Sequence, residues 1–220
     1  MTRPAGDPRA PAPALAGTGL LADDLYLIAH HERTGRPLLA PRALGLGVAG
    51  AVLAELILAD AIGVAAGQVT LTGVAPAEAL AATVVSVVAA EHHPRPVGDW
   101  LAFLGRTAPA DVGARLGQAG YLAVARSWRG QRRRPVNADC AFAPITRVKS
   151  GLEPAQADTP TVTLAALAAA CGLGSHLALY LPPAALRHLP GVAGRLMPPL
   201  REVITGTQAA VDAAVLAHRI

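Results

Sequence analysis

From Pro41 to Asp60 the chain is apolar on nearly every face a helix would present, with Arg42 near its start and one lone glutamate, Glu55, near its end. Ala43, Gly47 and Ala51 recur every four residues, so one side of that helix is stripped to small groups. A helix that is hydrophobic all round must be buried, and a small-residue stripe lets neighbouring backbones approach it closely. The feature therefore demands other helices packed around this one. Pro41 suits the first helical position, where a missing N–H costs nothing.

Punctuation along the rest of the chain gives a mainly α expectation: a single globular helical bundle around buried apolar helices, with short β-hairpins. Ile62 to Gly73 alternates weakly around Ala66-Gly67, as a short hairpin would. Helices are expected over Pro76 to Glu91, Gly98 to Leu104 and Ala110 to Gln118, then a strand over Tyr121 to Arg126, with Arg132 to Ala143 returning across a basic loop. Thr161 to Leu181 carries no permanent charge and is long enough to raise a transmembrane reading. Its many Ala, Gly and Thr residues fit a central bundle helix instead. Pro182-Pro183 ends that run, Pro198-Pro199 punctuates the tail, and Thr207 to Arg219 reads as a final helix.

Residues 1–19 are rich in Pro, Ala and Gly without periodicity and are expected to form a disordered arm, leaving 20–220 as one domain. With 220 residues and 52% hydrophobic content the chain can bury a sizeable core. Eighteen of the 19 basic residues are Arg, with Lys149 the exception. With the abundance of Ala, this points to a GC-rich, actinobacterial coding bias. No secretory signal is legible at the N-terminus, and the expected location is cytoplasmic.

Most motif-like features have bland explanations. Gly45-Leu46-Gly47-Val48-Ala49-Gly50 fits G-x-G-x-x-G, yet Pro41 stands where a strand should finish, and no acid follows at the distance needed to hold a ribose. Glu55 reads as a structural carboxylate satisfied by a helix N-terminus or an Arg rather than as an acid or base. The adjacent pairs His30-His31 and His92-His93 point about 100° apart on a helix and make no zinc face. Cys140 and Cys171 have neither disulfide-framework nor zinc spacing and read as buried thiols, and no cofactor is expected.

Basic charge is concentrated. Five arginines fall within Arg126 to Arg134, and Trp128 stands among them. Guanidinium forks grip phosphates bidentately, and an indole ring favours a membrane interface. Arg126, Trp128, Arg129, Arg132, Arg133 and Arg134 are thus candidates for contact with anionic lipid. The net charge of +4 agrees with anionic partners.

One resemblance organises these readings. An acid-started segment at Asp23-Asp24, a Thr34-Gly35 turn and a Gly-rich helix ending Ala54-Glu55-Leu56-Ile57-Leu58-Ala59-Asp60-Ala61-Ile62 resemble the opening of the Golgi phosphoprotein 3 family. Thr70-Leu71-Thr72, Val97-Gly98-Asp99-Trp100-Leu101, Val112-Gly113-Ala114-Arg115-Leu116 and Ala119-Gly120-Tyr121-Leu122 continue the match in order. The resemblance implies a peripheral membrane adaptor, not an enzyme, that binds a phosphoinositide head group such as phosphatidylinositol 4-phosphate. It also implies attachment to the inner face of the membrane and self-association through the hairpin that spans Arg126 to Arg134. Four head-group positions of the family align with Ala40, Ala49, Ala110 and Gly113, where the family's tryptophan and arginines are absent. The arginine kept is Arg115, and Arg42 and Arg106 lie nearby in sequence, so these three are the pocket candidates. The alternative is a winged-helix-like nucleic-acid-binding regulator, with Asp111 to Gln118 as the helix and the Arg-rich loop as the wing, although that helix lacks the polar and basic side chains that read base edges.

Overall fold

The computed structural model describes residues 18–127, 130–152 and 157–217, and the expected N-terminal arm falls outside them up to residue 17. The fold is mainly helical. Its axis is α2 (Pro41–Leu58), 18 residues long and buried from Ala43 to Ala54 without interruption. Around it pack α1 (Leu21–Ile28), α4 (Val97–Leu104), α5 (Ala108–Gln118), α7 (Thr159–Ala168) and α10 (Pro198–Ala217). Gly47 of the small stripe, and the two other glycines of this helix, are sites of close approach. A Cβ on Gly47 would run into the Cys171 sulfur, one on Gly50 into the Thr207 hydroxyl and one on Gly45 into the Gly105 carbonyl. The three glycines of the G-x-G-x-x-G pattern are therefore helix-packing sites, not a phosphate cradle.

The hairpin expected around Ala66-Gly67 forms from β1 (Ile62–Ala65) and β2 (Gln68–Leu71), with Ala65 paired to Gln68. Its two turn residues both take positive φ, 52° at Ala66 and 75° at Gly67, the conformation that matches strand twist in a two-residue turn. A two-residue strand β3 (Arg95–Pro96) adds to β2 and leads into α4. Between them lies α3 (Ala79–Ala90), which turns Ala81, Val84 and Val88 inward.

After α5 comes the second hairpin, β4 (Leu122–Ser127) with β5 (Gly130–Pro135), paired from Leu122↔Pro135 to Ser127↔Gly130. The returning strand stops earlier than expected. Asn137 caps a helix, α6 (Ala138–Gly151), by accepting the Cys140 N–H at 2.8 Å, so 138–143 is helical rather than extended. The run from Thr161 to Leu181 is likewise interrupted. From α7 it passes through a π-helical turn at Ala169–Leu173, with Gly172 at φ 89°, into the short α8 (Gly174–Leu177). A further helix, α9 (Pro183–Ala193), starts at the second proline of Pro182-Pro183. Similarly, Pro198-Pro199 opens α10, so the final helix expected from Thr207 begins instead at Pro198, because the first turn of a helix has no N–H partner to lose. Among the described residues two helical stretches are long and apolar enough to cross a membrane, Pro41–Leu58 and Thr159–Leu177, and both are largely buried inside this fold, as core helices are.

Candidate functional site

Two polar constellations stand out, one internal and one at the surface. The internal one begins with Asp23 and Asp24 in the first turn of α1, both buried. The Arg115 guanidinium, on α5, donates to Asp23 Oδ1 from Nε at 2.9 Å and lies within 2.8 Å of it through Nη2. It also reaches Glu78 Oε2 at 3.0 Å and Glu55 Oε1 at 3.8 Å. Arg147, on α6, pairs with Asp24. Glu55 additionally accepts the backbone N–H of Ala22 at 2.7 Å. The helix-terminus and Arg partners expected for this carboxylate are thus both present. Glu78 caps α3, accepting from the amides of Leu80 and Ala81.

Burial dominates the protonation of this network. It pushes the Glu55 carboxyl up to about 7 against the opposing pull of the Ala22 amide and Arg115. It pushes Asp24 up to about 6 against Arg147, with neighbouring Asp23 adding to the rise. Asp23 is also raised by burial, despite Arg115. At Glu78 burial is weaker than the capping amides and Arg115, and that carboxyl is held below its usual value. Arg115, expected as a pocket residue, is spent on three carboxylates, and its side chain is only 15% exposed. With Val112 and Leu116 also buried, α5 offers no basic recognition face, and the winged-helix alternative is not supported.

The surface constellation lies at the pole where α2 begins. Gly45 sits so close to Gly105, just past the end of α4, that only glycine fits. This contact delivers the next residue, Arg106, to the side of Arg42. Both arginines are exposed, and together with Leu46, Ala102 and Gly105 they line a cavity of about 380 Å³. The Arg106 guanidinium lies 5.0 Å from the Phe103 ring centroid, and its Nε donates to the Phe103 carbonyl at 3.3 Å. On its other side Arg42 borders a more apolar groove of about 430 Å³, lined by Ala40, Pro41, Ala43, Ala214, Val215 and Ala217. The Ala40 side chain cannot cap α2, so the first amides of an 18-residue helix add a positive end to the same place. The pole thus gathers two guanidinium groups, a helix N-terminus and an apolar channel.

The four aligned family positions are split by burial. Ala40 and Ala110 are exposed, but Ala49 is 0% exposed in the core and Gly113 is buried against the Tyr26 hydroxyl, 3.1 Å from where its Cβ would stand. Neither Ala49 nor Gly113 has room to present a ligand group.

The remaining candidates belong to the second hairpin. Arg133 is half-buried, its side chain lying over Gly113, while Arg134 is exposed. The hairpin's base docks on the turn before α2, where Gly35, at φ 61°, presses on the Arg133 carbonyl. Trp128 and Arg129 lie outside the described residues, and so do the side chains of Arg126 and Arg132. The structure thus brings Arg42 and Arg106 together, turns Arg115 inward and holds Arg133 elsewhere. Arg147 escaped the sequence reading because nothing near it in sequence signals an acidic partner.

No curated protein matches the chain significantly. A family model described as Golgi phosphoprotein 3 (GPP34) matches residues 21–215, from the first residue of α1 to the last turn of α10. The chain, on that extent of match, belongs to the Golgi phosphoprotein 3 (GPP34) family.

Proposed function

We propose that this protein is a peripheral membrane adaptor that binds the phosphate of an anionic phospholipid, a phosphoinositide included, between Arg42 and Arg106, and that it is not an enzyme. The observation that carries the reading is the convergence of these two exposed arginines on one cavity at the uncapped start of α2. Guanidinium groups hold phosphate through paired N–H donors, and helix amides favour the same charge. The adjoining apolar groove suits a ligand that is anionic at one end and greasy at the other. In this reading the protein resides in the cytoplasm and works at the inner face of the membrane. The hairpin from Arg126 to Arg134 adds basic charge or pairs with a second copy.

The test is co-sedimentation with vesicles of neutral lipid, of lipid with phosphatidylserine, and of lipid with phosphatidylinositol 4-phosphate, at low and physiological salt. Each basic residue near an anionic surface contributes about 1 kcal/mol, so Arg42→Ala with Arg106→Ala should weaken binding by about thirtyfold. Equal binding by the wild type and the double variant would overturn the assignment.

A further inference from the structure

We propose that Phe103, Val215 and Leu216 are membrane anchors: they embed in the bilayer interface beside Arg42 and Arg106, so that the pole at the start of α2 enters lipid. This rests on the lipid reading above and adds an orientation and a depth to it.

Three helix ends meet at this pole. α10 runs antiparallel to α2, as the packing of Gly50 on Thr207 and the shared groove of Ala40 with Ala214 and Ala217 require. α4 ends there as well, through Gly45 against Gly105. Each of the two arriving helices leaves large apolar side chains in solvent in its last turn. Phe103 is 44% exposed, Val215 39% and Leu216 63%. Two of them adjoin the basic pair: Arg106 stacks on Phe103, and Arg42 borders the groove that Val215 lines, with Leu216 next in the same last turn of α10. Exposed apolar side chains interleaved with arginines match the headgroup boundary of an anionic bilayer, which offers phosphate and acyl chain within a few ångströms.

The acids mark the depth. Asp99 stands one turn before Phe103 and Asp212 one turn before Leu216, and both are exposed. A helical turn rises about 5.4 Å. Insertion by one turn buries the anchors and keeps both carboxylates in water, which makes the docking shallow and reversible.

The experiment uses the full chain and vesicles containing phosphatidylserine at physiological salt. Phe103→Asp with Leu216→Asp, both at exposed positions, should fold as the wild type does by circular dichroism. Each change removes about tenfold of partitioning, so the pair should lose about a hundredfold. Separately, Phe103→Trp should gain a blue-shifted emission on binding that is quenched by lipids brominated near the top of the acyl chain, above the response of the native tryptophans. If the wild type binds vesicles while the double Asp variant binds equally well, or the added tryptophan stays unquenched, the anchors are refuted and the phosphate site stands. If the wild type binds no vesicle, both readings fall.

Discussion

Glu55 on α2 caps a helix to which it does not belong: its Oε1 accepts the N–H of Ala22, the second helical residue of α1, across 33 positions of sequence. Leu20, at the N-cap of α1, has no side-chain oxygen to offer. The cap therefore comes from the central helix, and it fixes how α1 sits on α2.

The pH dependence of stability follows from that carboxyl. Its pKa rises on folding from 4.5 to about 7, so the folded state binds the proton more tightly. Its contribution is present at low pH and is lost as pH climbs from 4.5 to about 7, amounting to about 3 kcal/mol. Asp24, raised from 3.8 to about 6, acts in the same direction over a window that starts lower. Urea unfolding at pH 5 and pH 8 should show greater stability at pH 5. Glu55→Gln, which keeps an oxygen for the Ala22 amide, should flatten that difference; an unchanged slope would mean that Glu55 does not titrate in this window.

Arg115 should matter for folding and not for lipid. Arg115→Met strands Asp23 and Glu55 as buried carboxylates without their shared cation, a loss of about 3–5 kcal/mol. Arg115→Lys keeps a charge but loses the forked geometry. Where it is folded, this variant should bind phosphatidylserine vesicles as the wild type does. A selective loss of lipid binding would return Arg115 to the head-group site.

Gly45→Ala tests the contact that assembles the surface pair. The added methyl meets the Gly105 carbonyl and must separate α2 from α4. Overpacking of this kind costs about 1–3 kcal/mol. Vesicle affinity should fall as well, because Arg106 rides on that junction. A stability change with full lipid affinity would separate the two roles.

Glu78→Ala removes both the cap of α3 and its link to Arg115. Loss of a cap costs about 1 kcal/mol. Hydrogen exchange should quicken in Ala79–Ala90 before it does in α2, since α3 is held to the body mainly by Ala81, Val84 and Val88.

Much of this is legible in the sequence. The all-round apolarity of Pro41 to Asp60 required a central buried helix, and the four-residue spacing of small groups required close neighbours. The turn at Ala66-Gly67 and the strand after Gly120 followed from local chemistry. The misreadings were local too. Pro198-Pro199 reads as punctuation ahead of a helix from Thr207, yet proline suits a first turn and the helix opens there. Residues 138–143 read as the end of a returning strand, but the Asn137 side chain competes with strand continuation by capping a helix there.

Sequence by itself determined which segments must be buried and what kind of partner Glu55 needed, because hydrophobic periodicity and the cost of an unpaired buried charge act residue by residue. Which partner it found was a tertiary decision. Asp23 and Arg115 stand 92 residues apart, and no pattern in either neighbourhood names the other. The same holds for the surface pair: Arg42 and Arg106 are unremarkable exposed arginines until Gly45 and Gly105 let two helices touch. Tertiary packing alone decided that Arg115 turned inward and these two turned out, because only the packed helices set which charge is desolvated and which meets water.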